Sequence, residues 1–97
     1  MEIKFNNLYE KAQDLFGNTI DILNDTKEDE FIYEISLLAF DYKKGFYRPN
    51  EIIFELRKLK CKYEEVLNNF NIEVVRLVFI ILCNIYEMME QGIYEKK

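Results

Sequence analysis

The sequence predicts an all-α protein, a compact bundle of about four helices formed by a single domain over residues 1–97. One proline and three glycines leave long stretches without helix-breaking residues. Apolar residues, 49% of the chain, recur at the helical spacings of three and four. An aromatic content of 15% argues against disorder. The helices are predicted at approximately 5–24, 27–44, 50–69 and 72–91.

The first predicted helix, 5–24, carries an apolar stripe whose spacing alternates between four and three residues. The stripe consists of Leu8, Ala12, Leu15, Thr19 and Ile22. Gly17 lies inside the segment and is a candidate C′ residue that would divide it in two. Because the stripe continues across Gly17 in phase, we favour one helix that tolerates this glycine at a cost of about 1 kcal/mol.

The second predicted helix, 27–44, has signals at both ends. Thr26 is a candidate N-cap, and the acids at 28–30 fall in the first turn, where the helix dipole favours them. Lys43 and Lys44 occupy the last turn, and Gly45 is the expected C′ residue. The apolar stripe between these ends consists of Phe31, Ile32, Ile35, Leu38, Ala39 and Tyr42.

The third predicted helix, 50–69, follows Pro49, with Asn50 as its candidate cap. Its apolar seam alternates spacings of four and three, as in a heptad repeat. The seam consists of Ile52, Leu56, Leu59, Tyr63, Val66 and Phe70. The residues predicted to point outward include Arg57, Lys58, Lys60, Lys62, Glu64 and Glu65.

The fourth predicted helix, 72–91, has little polar face, and its length excludes a strand. A helix that is apolar around most of its circumference is either central in its bundle or shared with a second subunit. We slightly favour the second possibility, a homodimer. The residues predicted for self-association are Val75, Phe79, Leu82 and Tyr86.

The net charge of −5 is unevenly distributed along the chain. Residues 1–34 carry nine acids against three bases, whereas residues 35–71 carry five acids against seven bases. An acidic protein is not expected to attract nucleic acid through its overall field, but a basic protein surface is a plausible partner.

Several classes of chemistry lack their usual residues. The chain has no histidine, and its two cysteines, Cys61 and Cys83, form no CxxC motif, so neither a zinc site nor a disulfide framework is expected. Neither a phosphate-binding glycine loop nor a base in sequence near Ser36 is present. The longest apolar run, 77–83, is far shorter than the ~20 residues of a membrane span. We therefore predict a cytoplasmic non-enzyme without membrane segment, metal or cofactor.

The connection after the second helix is the first candidate for a binding surface. It combines aromatic and cationic residues, the types that dominate interface hot spots and that also stack on nucleic-acid bases. The residues predicted to contact a partner there are Tyr42, Phe46, Tyr47 and Arg48. In the alternative interpretation, Phe46 packs back on the preceding helical turn, as the residue after a C′ glycine often does.

The acidic N-terminal third is the second candidate, because clustered carboxylates can steer a basic partner. The residues predicted to do so are Asp21, Asp25, Glu28, Asp29 and Glu30. A solvated helix face, with acids that the dipole favours at a helix N-terminus, explains them without a partner, and we favour that interpretation. The cations of the third helix, 57–62, could contact phosphates or could pair with these acids within the molecule.

Small, acidic, helical chains without catalytic residues broadly resemble toxin-immunity proteins and phage-encoded anti-defence proteins, anti-CRISPRs among them. The resemblance is one of size, charge and helicity. It implies a non-catalytic protein that inhibits or masks a partner protein. One alternative is a nucleic-acid-associated regulator or small ribonucleoprotein subunit that uses the basic middle region. Another is a self-associating structural protein.

Overall fold

The computed structural model describes residues 3–17, 26–65 and 72–92. These residues form four helices and no strand: α1 Phe5–Gly17, α2 Thr26–Lys43, α3 Pro49–Tyr63 and α4 Ile72–Glu90. The predicted all-α architecture of about four helices is confirmed.

The bounds of α2 and α4 agree with prediction to within one residue, whereas α3 is shorter than predicted. The described part of α1 ends at Gly17, and the predicted continuation over 18–24 lies outside the described residues. α3 ends at Tyr63, followed by a turn at residues 64 and 65. The predicted seam residues Val66 and Phe70, and the candidate cap Asn71, also lie outside them.

The start of α3 corrects the prediction that Asn50 caps this helix. Pro49 is the first helical residue and Arg48 is the N-cap. The backbone N–H of Arg48 donates to the carboxylate of Glu51 at 2.8 Å. Proline suits the first position of a helix because its missing N–H would be unpaired there and its φ is already helical. The helix therefore includes the proline that was expected to precede it.

The end of α2 has the geometry predicted for Gly45. Gly45 adopts a φ of 93°. Its N–H donates to the carbonyl of Tyr42 at 3.0 Å, and the N–H of Phe46 donates to the carbonyl of Asp41 at 3.0 Å. This pair of bonds is a Schellman motif, which needs a residue that tolerates positive φ. Gly45 therefore sets the direction in which the chain leaves α2.

Two helices share the centre of the bundle. α2 and α4 each contact all three other helices, whereas α1 and α3 lie on opposite sides of this pair, with no contact between their described residues. Aromatic rings of α1 and α2 pack together: the ring centroid of Phe5 lies 5.2 Å from that of Tyr33 and 5.8 Å from that of Phe40. The prediction that a helix apolar around most of its circumference could be central in the bundle therefore agrees with the position of α4. α2 is central in the same sense, since it also contacts all three other helices.

The four residues predicted for self-association lie inside this core. Val75, Phe79, Leu82 and Tyr86 are all buried within the single chain. They face the interior because the other three helices cover that side of α4. The large apolar residues that α4 leaves exposed are Val74, Leu77, Ile80 and Met88. A second copy of the chain would meet these residues rather than the predicted four.

Candidate functional site

The structure separates the four residues predicted at the α2–α3 corner. Tyr42 is half-buried, and its ring packs against that of Phe79 with centroids 5.5 Å apart. Tyr47 is also half-buried and packs against the core. Arg48 is exposed and caps α3 through its backbone. Only Phe46 and Arg48 are therefore fully presented to solvent.

Phe46 does not pack back on α2, contrary to the alternative interpretation. Its side chain is 72% exposed although both backbone bonds of the Schellman motif are formed. The hydrophobic contact that often accompanies this motif is thus missing here. An exposed phenylalanine of this kind contributes little to the stability of the isolated chain, because its ring stays in water.

A second exposed phenylalanine lies beside this corner. Phe54 on α3 is 64% exposed, and together with Phe46 it lines a shallow depression of about 250 Å³. The remaining lining residues are Tyr47, Glu51 and Glu55. We call these five residues the aromatic–acidic patch. The patch combines three aromatic rings with two carboxylates and includes no basic residue.

The phase of α3 explains why Phe54 is exposed. The buried stripe of this helix is Ile52, Leu56, Leu59 and Tyr63. Ile53 and Phe54 fall outside the stripe and are both exposed. Sequence reasoning missed Phe54 as a candidate, although an apolar residue out of phase with the buried stripe was the available signal.

The two carboxylates of the patch each have one partner, and neither partner is buried. Glu51 accepts the Arg48 backbone N–H, a neutral donor. Glu55 forms an i,i+3 ion pair with Lys58 at 3.3 Å, and the lysine is largely solvated. An exposed pair of this kind is worth little, so a partner's cation can compete for Glu55.

The acidic residues predicted to bind a partner do not belong to this patch. Asp21 and Asp25 lie outside the described residues, as do the side chains of Glu28 and Asp29. Glu30 is exposed near the start of α2, whereas the patch adjoins the end of that helix. At 1.5 Å per helical residue, Glu30 and Lys43 are about 20 Å apart along the axis.

Another acid of the N-terminal third is engaged within the molecule. Glu34 accepts hydrogen bonds from the Tyr63 hydroxyl at 2.7 Å and from the Lys62 ammonium at 2.5 Å. Burial and the adjacent carboxylate raise the pKa of Tyr63 well above its ordinary value, so this hydroxyl remains a donor at physiological pH. These bonds tie the end of α3 to α2.

The opposite flank of α3 has a different chemistry. A groove of about 480 Å³ runs between α3 and α4, and its lining combines basic with aliphatic residues. The lining residues are Ile53, Leu56, Arg57, Lys60, Cys61, Ile72 and Arg76. We call this the basic groove. No acidic residue and no aromatic residue is among its described lining.

One serine and two cysteines are the remaining candidates for a reactive side chain. Ser36 is fully buried, and its hydroxyl has no hydrogen-bond partner among the described residues. Cys61 and Cys83 are free thiols; burial raises the pKa of Cys83 to about 11, which keeps it protonated. Within the described ranges, no group of three or more acidic or cysteine side chains could hold a metal ion.

No helix within 3–17, 26–65 or 72–92 is long and apolar enough to cross a membrane. Comparison of the chain with protein-family models, with curated proteins and with solved structures gives no match.

Proposed function

We propose that this chain is a non-catalytic binding protein whose aromatic–acidic patch engages and masks a basic surface of a partner protein. The observation that carries the proposal is the pair of exposed rings, Phe46 at 72% and Phe54 at 64%, in one depression. A toxin-immunity or phage anti-defence inhibitor, such as an anti-CRISPR, is the functional class that this proposal favours. Action in the cytoplasm, where Cys61 and Cys83 would stay reduced, is part of it.

Hydrophobic burial supplies the affinity in this proposal. Fully burying one phenylalanine side chain stabilises a complex by about 1.5–3 kcal/mol. Contiguous exposed apolar groups on an ordered surface mark interaction sites more often than isolated ones do. Phe46 and Phe54 come from a loop and a helix, so a partner that covers both must fit the corner between α2 and α3.

Electrostatics selects the kind of partner. Glu51 and Glu55 flank the rings, and the whole chain carries a charge of −5. A lysine or arginine of the partner would gain from these carboxylates and from cation–π contact with the exposed rings. A basic, partly apolar protein surface therefore complements the patch better than an acidic one does.

A capture experiment with matched variants tests the proposal. The wild-type protein, Phe46→Ala/Phe54→Ala and the control Leu77→Ala/Ile80→Ala are each used as bait in lysate of the native host, at low and high salt. The control removes two similarly exposed apolar side chains on α4. We expect a partner that the wild type and the control retain, that rising salt weakens, and that the double phenylalanine variant loses.

The outcome is then checked with the purified partner by calorimetry. A loss of at least about tenfold in affinity, 1.4 kcal/mol, is expected for the double phenylalanine variant. A partner bound equally by all three baits would contradict the proposed site. The absence of any salt-sensitive partner would contradict the proposed function.

The self-associating protein is a second candidate because α4 exposes a heptad-spaced stripe. The stripe consists, in chain order, of Val74, Leu77, Ile81, Asn84 and Met88. Ile81 is half-buried, and the other four residues are exposed. Such stripes pair helices, and one polar residue often sets their register. Leu77→Glu should convert a dimer to a monomer in sedimentation without unfolding it, since Leu77 is 57% exposed. A wild-type monomer at all concentrations would exclude this candidate.

The nucleic-acid alternative depends on cations that are mostly engaged. Lys58 pairs with Glu55, Lys60 with Glu64 and Lys62 with Glu34. Each pairing reduces the positive field that a phosphate would meet. These three lysines therefore favour a nucleic-acid function less than their number in the sequence suggests.

A further inference from the structure

The basic groove between α3 and α4 is independent of the aromatic–acidic patch. Ile53 and Arg57 are four residues apart on α3, and Ile72 and Arg76 are four residues apart on α4, so on each helix an isoleucine lies one turn from an arginine along the groove. The patch residues Phe54 and Glu55 line a different depression, on the other flank of α3.

The two arginines of the groove carry positive charge that the described molecule does not neutralise. Among the described residues, none forms an ion pair with Arg57 or Arg76, whereas Lys60 is paired with Glu64 at 2.7 Å. Both arginine side chains belong to exposed residues. The groove therefore has charge complementarity with an anionic ligand.

We propose that the basic groove binds an acidic peptide segment, with Arg57 and Arg76 on its carboxylates and Ile53, Leu56 and Ile72 around an aliphatic side chain. Guanidinium groups bind carboxylates bidentately, which adds direction as well as energy. The aliphatic lining supplies the apolar contact that a purely ionic site lacks. The segment therefore combines acidic side chains for the arginines with aliphatic side chains for the apolar lining, as an amphipathic helix does.

The same groove fits nucleic acid poorly. Proteins that bind single strands use aromatic rings on which bases stack, and the described lining of the groove contains none. The overall charge of the chain also repels a polyanion with many phosphates more strongly than it repels a short acidic peptide. The aliphatic lining, the missing rings and the overall charge all favour the peptide.

Fluorescence anisotropy with a defined probe tests the assignment. The probe is a fluorescein-labelled peptide of repeating Glu-Glu-Leu-Leu units, titrated with the whole chain. We expect saturable binding to the wild type and a loss of at least about tenfold for Arg57→Gln/Arg76→Gln. The control Lys4→Gln/Lys58→Gln removes the same charge from exposed lysines outside the groove and should bind like the wild type.

Cys61 provides a second readout, because it is exposed and lines the groove. Bound peptide should slow alkylation of Cys61 by iodoacetamide, measured by mass spectrometry, and leave that of Cys83 unchanged. Phe46→Ala/Phe54→Ala should still bind the peptide, so failure of the proposed function and failure of this inference are distinguishable.

Three results would overturn the inference. One is the absence of saturable peptide binding to the wild type. Another is an equal loss of binding in the groove and control variants, which would show a general effect of charge. The third is tighter, arginine-dependent binding of an oligothymidine or oligouridine strand, which would assign the groove to nucleic acid. Circular dichroism of both variants shows that any loss occurs in folded protein.

Discussion

The two flanks of α3 differ in the sign of their charge and in the kind of apolar side chain they present, although this one helix supplies most of the residues of both. One flank joins Phe54, Glu51 and Glu55 to the α2–α3 corner and is aromatic and acidic. The other joins Arg57 to the start of α4 and is aliphatic and basic. A helix with a single buried stripe can display two unrelated surfaces because its remaining circumference faces solvent in different directions. The contrast teaches that the net charge of −5 agrees in sign with the first surface and not with the second.

The largest expected effect comes from the stripe that both flanks share. Leu56 is buried between α3 and the rest of the bundle. Leu56→Ala should lower the free energy of unfolding by about 2–5 kcal/mol because it leaves a cavity. Urea unfolding measures this change. Phe54→Ala, on the exposed flank, is the control and should change stability by no more than about 0.5 kcal/mol. Similar losses in both variants would mean that Phe54 is part of the core.

The next effect concerns the bond that fixes the end of α3 on α2. Tyr63→Phe removes a hydroxyl that donates to Glu34 and leaves the ring, which is 1% exposed, in place. The loss of a hydrogen bond to a charged group should cost about 1.5 kcal/mol in thermal or urea unfolding. Lys62→Ala is the comparison, since an exposed pair contributes less. A larger loss for Lys62→Ala would reverse this order.

The raised pKa of the Tyr63 hydroxyl predicts that the folded protein loses stability in alkali. The pKa of Tyr63 is raised above its ordinary value of 10.0 in the folded protein, mainly by burial. The unfolded chain therefore loses this proton first, and the contribution to stability is full below pH 10.0 and declines as the pH rises further. In Tyr63→Phe the decline above that pH should be shallower. The raised pKa values of Cys83 and Tyr86 are common to both proteins, so the difference isolates Tyr63.

A smaller effect is expected at the corner that presents Phe46. Gly45→Ala forces an alanine into positive φ, which should cost about 1 kcal/mol. Beyond Gly45 and its two chain neighbours, no atom lies within 4 Å of the added carbon, so the cost comes from the local backbone conformation and not from a clash with the rest of the protein. Gly92→Ala, with a φ of 84° after the end of α4, is the matched control, because it imposes the same strain at a position outside the aromatic–acidic patch. Partner binding through the aromatic–acidic patch should weaken only in Gly45→Ala.

The smallest effect should come from the N-terminal cap of α3. Glu51→Gln keeps an acceptor for the Arg48 N–H but removes the charge that favours a helix N-terminus. A cost of about 0.5 kcal/mol is expected in thermal unfolding. Partner binding should fall more than stability does, because the same carboxylate belongs to the aromatic–acidic patch. Unchanged affinity would remove Glu51 from the proposed interface.

Several features of the molecule followed from local sequence. Helical spacing predicted the four helices, and Gly45 predicted how α2 ends, because a positive φ after the last turn is a property of a few neighbouring residues. The cap of α3 was placed two residues too late, since Pro49 was taken to end the connection rather than to begin the helix. The corner containing Phe46 was identified from composition, but its partner Phe54 was not.

What the sequence by itself determined is therefore the helical class, the stop at Gly45 and the uneven distribution of charge. Tertiary structure alone decided which apolar residues of α4 are buried, because a helix that is apolar nearly all round carries little phase information. It also decided that Phe46 and Phe54 share one depression and that Arg57 and Arg76 share another. Nothing in the sequence pairs Phe46 with Phe54 or Arg57 with Arg76. Each pair lines a single depression because α3 packs against α2 and α4 in this arrangement.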